Sequence, residues 1–260
     1  MSFSVDSAGV AGRPRLFLID GSSYIFRAFY AIPASTNSKG LPTNAIFGFT
    51  NLLLKFLKRY RPQYVVVALD AGRATFRRRM FPDYKANSAA APAALVSQLP
   101  YIRRVLKGLN LALLELPDYE ADDIIASLCA VLRREDCELV VVSSDKDLMQ
   151  LVSDGIRLLD GASERWLGVA EVQSKFGVVP EKVTQVMGLT GDPVDNIPGV
   201  KGIGPKTAVA LIEQFHTLED LFNALDQVEA LSLRGATRVR KLLERARETA
   251  LLSRELATVR

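Results

Sequence analysis

An α/β fold, with a mostly parallel sheet flanked by helices and a helical C-terminal subdomain, is predicted by three features of the sequence. Short, uninterrupted apolar runs recur at Leu16-Phe17-Leu18-Ile19, Val65-Val66-Val67-Ala68-Leu69 and Leu139-Val140-Val141-Val142. Such runs lack the alternation of a half-exposed strand and read as strands covered on both faces. Segments with apolar residues at helical spacing separate them, giving the strand-helix-strand order of a parallel sheet. Beyond residue 169 only helical spacing remains.

The first strand is read at 15–20, followed by a helix through Tyr24, Phe26, Phe29 and Tyr30 with Ser22 or Ser23 at its cap. A second helix opens at Thr43, keeps Ile46, Phe47, Phe49, Leu53, Leu54 and Leu57 near a 3.6-residue period, and stops at Pro62. The second strand is 64–70. Residues 71–91 break the pattern: Arg73, Arg77, Arg78, Arg79 and Lys85 interleave with Phe76, Phe81 and Tyr84 without an apolar face, which reads as an exposed basic arch. A helix over 92–109 and a strand over 111–116 lead to Pro117, and a further helix runs from Tyr119-Glu120-Ala121-Asp122-Asp123 to about 135. A strand at 137–144, a shorter one at 156–160 and a hairpin partner at 164–167 complete the sheet. Helices then follow at 169–176, 180–189, 205–215, 218–224 and 234–258. The expected division is a loose tail over 1–14, a core over 15–168 that includes the arch at 71–91, and a helical subdomain over 169–260.

Nine carboxylates stand out: Asp20, Asp70, Glu120, Asp122, Asp123, Asp145, Asp147, Asp192 and Asp195. The first seven follow predicted strand ends, and in an open parallel sheet that edge is where ligands bind, so acids remote in sequence converge in one cleft. Strict helical geometry does not put 120 and 122 on one face, so Glu120 is expected at the cap. Like charges this dense repel by several kcal/mol at a surface dielectric, and either hold protons or bind cations. With one histidine, His216, and only Cys129 and Cys137, a zinc site of the His/Cys type is excluded; carboxylate ligation points to Mg²⁺, or Mn²⁺ in its place. Two such ions roughly 3.5–4 Å apart suit an in-line phosphoryl displacement, with Lys85, Arg77 or Arg78 balancing the phosphate charge. The 260-residue chain carries a formal net charge of +4 although these acids are gathered at a few places, so the rest of its surface is basic and fits a polyanion. The cysteine usage indicates a reducing cytosol. No secretory leader is read, and no apolar run approaches the roughly 20 residues that span a bilayer.

A second signal is Ile197-Pro198-Gly199-Val200-Lys201-Gly202-Ile203-Gly204-Pro205-Lys206-Thr207. Its spacing approaches a phosphate-binding GxxxxGK[ST] loop, but Pro205 intervenes and no strand precedes it, which argues against an NTPase. Glycines in a turn, Pro205 as first helical residue and a lysine in the first turn suit a helix-hairpin-helix over 196–215 that offers backbone N–H groups and a positive charge to a DNA phosphate.

Several motifs together resemble the 5′ nuclease (5′-3′ exonuclease, flap endonuclease) domain of the bacterial DNA polymerase I family. They are Leu18-Ile19-Asp20-Gly21-Ser22-Ser23, Phe26-Arg27-Ala28-Phe29-Tyr30, Thr75-Phe76-Arg77, Pro82-Asp83-Tyr84-Lys85-Ala86-Asn87, Glu120-Ala121-Asp122-Asp123, Ser144-Asp145-Lys146-Asp147 and Gly191-Asp192-Pro193-Val194-Asp195-Asn196-Ile197-Pro198-Gly199. The resemblance runs in order from about 15 to 260. It implies a PIN-like core, a helical arch and a helix-three-turn-helix that grips duplex DNA, with a K⁺ ion there. It implies two-metal hydrolysis of branched or nicked DNA at 5′ flaps and 5′ ends, or of an RNA-DNA primer, in replication and repair. Asp20, Asp70, Glu120, Asp122, Asp123, Asp145 and Asp147 match metal ligands or their supports, and Asp192 and Asp195 match the second metal. Lys85, Arg77 and Tyr84 match the catalytic arch positions; Arg27, Arg73, Arg78, Lys201, Gly202, Gly204, Lys206 and Thr207 match DNA contacts. A monomer in the bacterial cytoplasm, at the nucleoid, is implied. The sequence departs from the family at Ser88, where an arginine is usual, and in the alanines after it. A catalytically weak DNA-junction binding module therefore stands as the alternative. The chain reads either as an excised polymerase domain or as a stand-alone nuclease.

Overall fold

The computed structural model describes residues 13–133, 137–161 and 163–260, so the expected tail over 1–14 lies almost wholly outside the described residues. Strands β1 (Arg15–Asp20), β2 (Tyr64–Thr75), β3 (Ala112–Asp118), β4 (Glu138–Val142), β5 (Ile156–Asp160) and β6 (Arg165–Leu167) form one sheet in the order β3-β2-β1-β4-β5-β6. The first five are parallel and β6 closes the edge antiparallel to β5. The chain steps outward from β1 to β3, then returns to place β4 on the other side of β1. The boundary between β1 and β4 is therefore the switch point, where a parallel sheet opens a crevice at its carboxyl edge.

The uninterrupted apolar runs are explained by two cores. Phe17, Ile19, Val67, Leu69, Val140 and Val142 face the helices Gly21–Ala31, Asn44–Tyr60 and Leu99–Gly108. Leu18, Ala68, Leu139, Val141 and Leu158 face the helix Ala121–Leu132, in a core that continues through Leu189, Leu211, Leu221 and Leu243. The helical subdomain is thus packed onto one face of the sheet.

Three expectations change. The stretch 71–91 is not one exposed arch: β2 continues to Thr75 after a register shift, Thr75 pairs with Asp118, and a short helix Phe76–Met80 follows. The helix over 92–109 is two, Ala93–Val96 and Leu99–Gly108. Between them Gln98 is fully buried, its amide accepting from Ile46 N at 3.0 Å and donating to Asn44 Oδ1 at 3.0 Å and Ala94 O at 2.9 Å. The helix over 234–258 is likewise two, Ala236–Leu243 and Arg247–Ala257, and the bend lays the second against Val183–Thr190. Gly188 permits that crossing, because a Cβ there would lie 2.9 Å from Ala250 O.

The turn after Val183–Thr190 is equally tight. Gly199 has φ +59° and a Cβ on it would sit 2.3 Å from Gly191 N, whereas a Cβ on Gly204 meets nothing within 4 Å. Gly199→Ala is expected to cost about 2 kcal/mol or more and lower Tm by at least about 4 °C, while Gly204→Ala stays within about 2 °C. Equal melting temperatures in a thermal scan would contradict this packing.

Candidate active site

The carboxyl edge of the sheet gathers the acids. Asp20 ends β1 and caps the helix Gly21–Ala31, accepting from Ser23 N at 3.0 Å and from Ser143 Oγ at 2.7 Å. The cap is therefore Asp20, in place of the expected Ser22 or Ser23. Ser22 Oγ instead accepts from Asp70 N at 2.9 Å, and Asp70 Oδ1 accepts from Ala121 N at 2.7 Å. Glu120 occupies the cap position of Ala121–Leu132, as its spacing requires. After β4, Ser143 Oγ accepts from Asp145 N at 3.0 Å and Asp145 Oδ1 accepts from Asp147 N at 2.9 Å, folding both acids back toward β1. Asp192 and Asp195 arrive on the turn beyond Val183–Thr190, where Lys146 Nζ meets Asp192 Oδ2 at 2.7 Å.

The electrostatics show how closely they approach. Burial pushes Asp20 up to about 6, with Asp70 and Asp145 adding repulsion. Burial likewise pushes Asp147 up to about 7, with Asp145, Asp195 and Asp192 repelling it. Asp122 is held well above the usual range by desolvation, then by Asp20 and Asp145. Asp70 and Asp195 are also raised, first by burial. Asp147 Oδ1 is buried without a hydrogen-bond partner. Among the described residues no three of these side chains stand close enough, as placed, to ligate one ion. The charge excess, the all-oxygen donors and the orphaned oxygen nonetheless fit hard divalent cations, with side-chain rotation to close the shell.

Lys85 and Tyr84 reach this edge from the loop after Phe76–Met80. Lys85 Nζ lies 2.9 Å from Glu120 Oε2 and 3.5 Å from Asp195 Oδ2. Burial opposes its charge, but Tyr84, Glu120 and Asp195 outweigh that and raise its pKa, so the ammonium persists. Tyr84 is buried, and its hydroxyl lies 3.2 Å from both Glu120 Oε2 and Asp195 Oδ2, able to donate its one proton to either. The loop is pinned to the 191–197 turn: Lys85 N donates to Asp195 O (2.9 Å), Asn87 Nδ2 to Pro193 O (3.1 Å) and Asn196 Nδ2 to Asp83 O (2.7 Å).

Two expected site residues are buried in an ion pair behind the acids, where Arg77 Nη1 also comes within 3.8 Å of Glu120 Oε2. Arg77 is 2 % exposed and grips Asp123 through two 2.7 Å bonds, while donating to Leu256 O (2.9 Å) and Thr258 O (2.8 Å). It is no free arch cation. Asp123 is correspondingly consumed: it also accepts from Glu120 N (3.0 Å) and Arg260 N (3.1 Å), which leaves no face for a metal. Helical spacing explains this, since 123 turns inward when 120 caps the helix. Arg73 and Arg78 line a cavity of about 390 Å³ together with Lys85, Asp70 and Glu120. Arg27 lies apart, in a small pocket with Lys55, Arg59 and Asp160. Lys201, Gly202, Gly204 and Lys206 are exposed at the start of the helix Pro205–Phe215, with Thr207 half-buried. Ser143 escaped the sequence reading, and Ser22 and Lys146 entered it only as a cap candidate and within motifs; their bonds to the acids have no signal beyond adjacency to strand-end carboxylates.

The raised carboxyls set a pH dependence. Asp20 near 6 and Asp147 near 7 lie above their unfolded values of about 3.9. The folded state therefore binds more protons between about pH 4 and 7, and its stability falls as pH rises through that window. Metal-free protein is expected to lose Tm from about pH 5 to 8, with Mn²⁺ or Mg²⁺ raising Tm more at pH 8 than at pH 5; a metal-free Tm that climbs with pH would contradict this. Arg77→Met should cost about 3–5 kcal/mol in urea denaturation, because Asp123 stays buried without its cation, and Arg77→Met with Asp123→Leu should recover part of the loss. No recovery would mean that the pair is not the source.

The chain matches two sequence families end to end: "5′-3′ exonuclease, N-terminal resolvase-like domain" over residues 15–177 and "5′-3′ exonuclease, C-terminal SAM fold" over 178–260. A 5′-3′ exonuclease of Aquifex aeolicus is 42% identical over 206 residues, covering 79% of this chain and 71% of that protein. DNA polymerase I of Bacillus subtilis is 40% identical over 251 residues, covering 95% of this chain but only 28% of the polymerase, so the chain spans about a quarter of such relatives. The fold is shared with a T5 5′-exonuclease bound to zinc (TM-score 0.75, 21% identity, 94% of this chain and 89% of that one). It is shared also with the Rad2 catalytic core in complex with DNA (TM-score 0.62, 15% identity, 94% and 77%). Matched across both halves, and with 42% identity to a relative of similar extent, the chain belongs to the 5′-3′ exonuclease family.

Proposed function

We propose that the chain is a structure-specific 5′ nuclease that hydrolyses DNA phosphodiesters at 5′ flaps and 5′ ends, removing flaps and RNA primers in replication and repair. The observation that carries this is the gathering of eight mutually repelling acids at one sheet edge, with Lys85 between Glu120 and Asp195. Asp20, Asp70, Glu120, Asp122 and Asp145 would hold one Mg²⁺ and Asp147, Asp192 and Asp195 a second, with Mn²⁺ able to substitute. Bound there, such ions lower the pKa of a water and neutralise charge on the phosphate. Asp123 leaves this set and acts through Glu120, whose N–H it accepts.

The residues of the chain do the rest. The Lys85 ammonium, exchanging a carboxylate for a phosphate oxygen, orients and stabilises the reacting group. Tyr84 braces Glu120 and Asp195 from below. Arg73 and Arg78 place guanidiniums along the cavity beside Lys85, and Arg73 Nη2 donates to Ser88 O at 2.8 Å. A guanidinium thus lies beside the main chain of Ser88, the position where an arginine is usual in the family. The hairpin at Lys201–Thr207 would bind the duplex arm; a K⁺ ion there rests on family resemblance alone. The chain would act as a monomer in the bacterial cytoplasm, at the nucleoid, alone or ahead of a polymerase domain. No helix among the described residues is long and apolar enough to cross a membrane.

Cleavage of a 5′-labelled double-flap DNA, with and without Mg²⁺ and beside Asp145→Asn, tests this reading. Product only with metal and only from the unsubstituted protein is expected; flap binding without product under Mg²⁺ and Mn²⁺ would favour the binding module. Lys85→Ala should slow single-turnover cleavage by roughly 10²-fold or more with flap affinity nearly intact, as for a contact made in the transition state. A pure loss of affinity would assign Lys85 to grip.

A further inference from the structure

Beside the hairpin, a groove of about 1030 Å³ runs between residues 198–201 and the helix Ala236–Leu243 with the turn that follows it. One wall carries Lys201; the other carries Arg238, Lys241 and Arg245, over a floor at Leu242. All four cations are exposed, and none has a carboxylate partner among the described residues. The acid on the same wall, Glu244, is paired with Arg240 at 3.2 Å. A Cβ on Gly202 would lie 3.1 Å from Leu242 Cδ1 and 3.9 Å from Arg238 Nη2, so the hairpin turn and this guanidinium face one space.

Spacing and composition say what fits. Arg238, Lys241 and Arg245 stand at i, i+3 and i+7, one stripe along the helix and its terminal turn. At 1.5 Å per residue the stripe is about 10 Å long, and a duplex strand rises about 3.4 Å per nucleotide along its axis, so the stripe spans about three nucleotides of axial rise. No aromatic side chain lines the groove. A single strand gains much of its affinity by stacking bases on aromatics, so this surface suits a backbone whose bases remain paired. The buried Arg77 and the acid-paired Lys85 and Lys146 are, by contrast, already satisfied within the protein.

We propose that this groove is a second phosphate track, in which Arg238, Lys241 and Arg245 follow the backbone of the duplex arm as it leaves the hairpin. The assignment rests on the nuclease reading and extends it to residues outside the motifs that define the hairpin. It makes the helix Ala236–Leu243 a ruler for duplex length: only an arm long enough to pass the hairpin gains the three contacts.

The test is the salt dependence of flap-DNA binding by anisotropy, on the whole chain. Neutralising all three residues to Gln should reduce the slope of log K against log salt by about 2.7, and Lys241→Gln alone by about 0.9. The single exposed substitution guards against a folding defect in the triple variant. On a flap whose duplex arm is cut to about half a helical turn, about 5 base pairs, the triple variant and its parent should bind alike. An unchanged slope on the long arm, while Lys206→Ala still reduces it by about one unit, overturns the groove but leaves the nuclease. The same loss on the short arm, or on single-stranded DNA, overturns the assignment to duplex. Failure of the parent to bind or cleave flap DNA would instead remove the nuclease reading itself.

Discussion

Eight carboxylates share one sheet edge, and the fold must hold them there against their own repulsion. A pair of unit charges 4 Å apart repels by about 4 kcal/mol at an effective dielectric of 20, so the cluster strains the structure that contains it. The containment is visible in particular bonds. Asp20 and Glu120 sit at helix caps, where the macrodipole favours negative charge. Ser143 bridges Asp20 to Asp145, and Ala121 N ties Asp70 to the 121–132 helix. Lys85 and Lys146 supply the internal cations. At mildly acidic pH, protons on the raised carboxyls of Asp20 and Asp147 remove some of the remaining charge.

The Arg77–Asp123 pair plays a different part. It is buried directly behind the acid cluster, with Arg77 Nη1 3.8 Å from Glu120 Oε2, while Asp123 holds the Glu120 backbone and Arg77 holds the carbonyls of Leu256 and Thr258. Gln150 adds bonds to Ala257 O and Val259 N, and Ser127 one to Arg260 O. The end of the helical subdomain is thereby locked to the helix that presents the acids. The hairpin proposed to bind duplex and the acid-bearing edge are thereby joined in one frame, with the 81–88 loop pinned to the 191–197 turn.

Much of this was legible in sequence. Uninterrupted apolar runs gave the buried strands, and an acid after each gave the edge on which they meet, because parallel strands must deliver their carboxyl ends to one side. Glu120 as a cap followed from helical spacing. What escaped depended on partners far along the chain. Arg77 resembles its arginine neighbours locally, and only contacts with residues 123, 256 and 258 bury it. The extension of β2 through Thr75 depends on pairing with Asp118, and the breaks at Gln98 and near 245 on what packs there. Arg238, Lys241 and Arg245 carry no motif; the crossing of their helix beside Gly202 is what makes them a surface.

Calorimetric titration of the metal-free protein with Mn²⁺, in buffers of different ionisation heat, tests the central claim most directly. The two-metal reading predicts about two ions per chain, and the raised Asp20 and Asp147 predict more proton release at pH 6, where they are partly protonated, than at pH 8. Absence of saturable binding, or binding with no proton release at either pH, would contradict the account of the acids as a crowded site waiting on divalent cations.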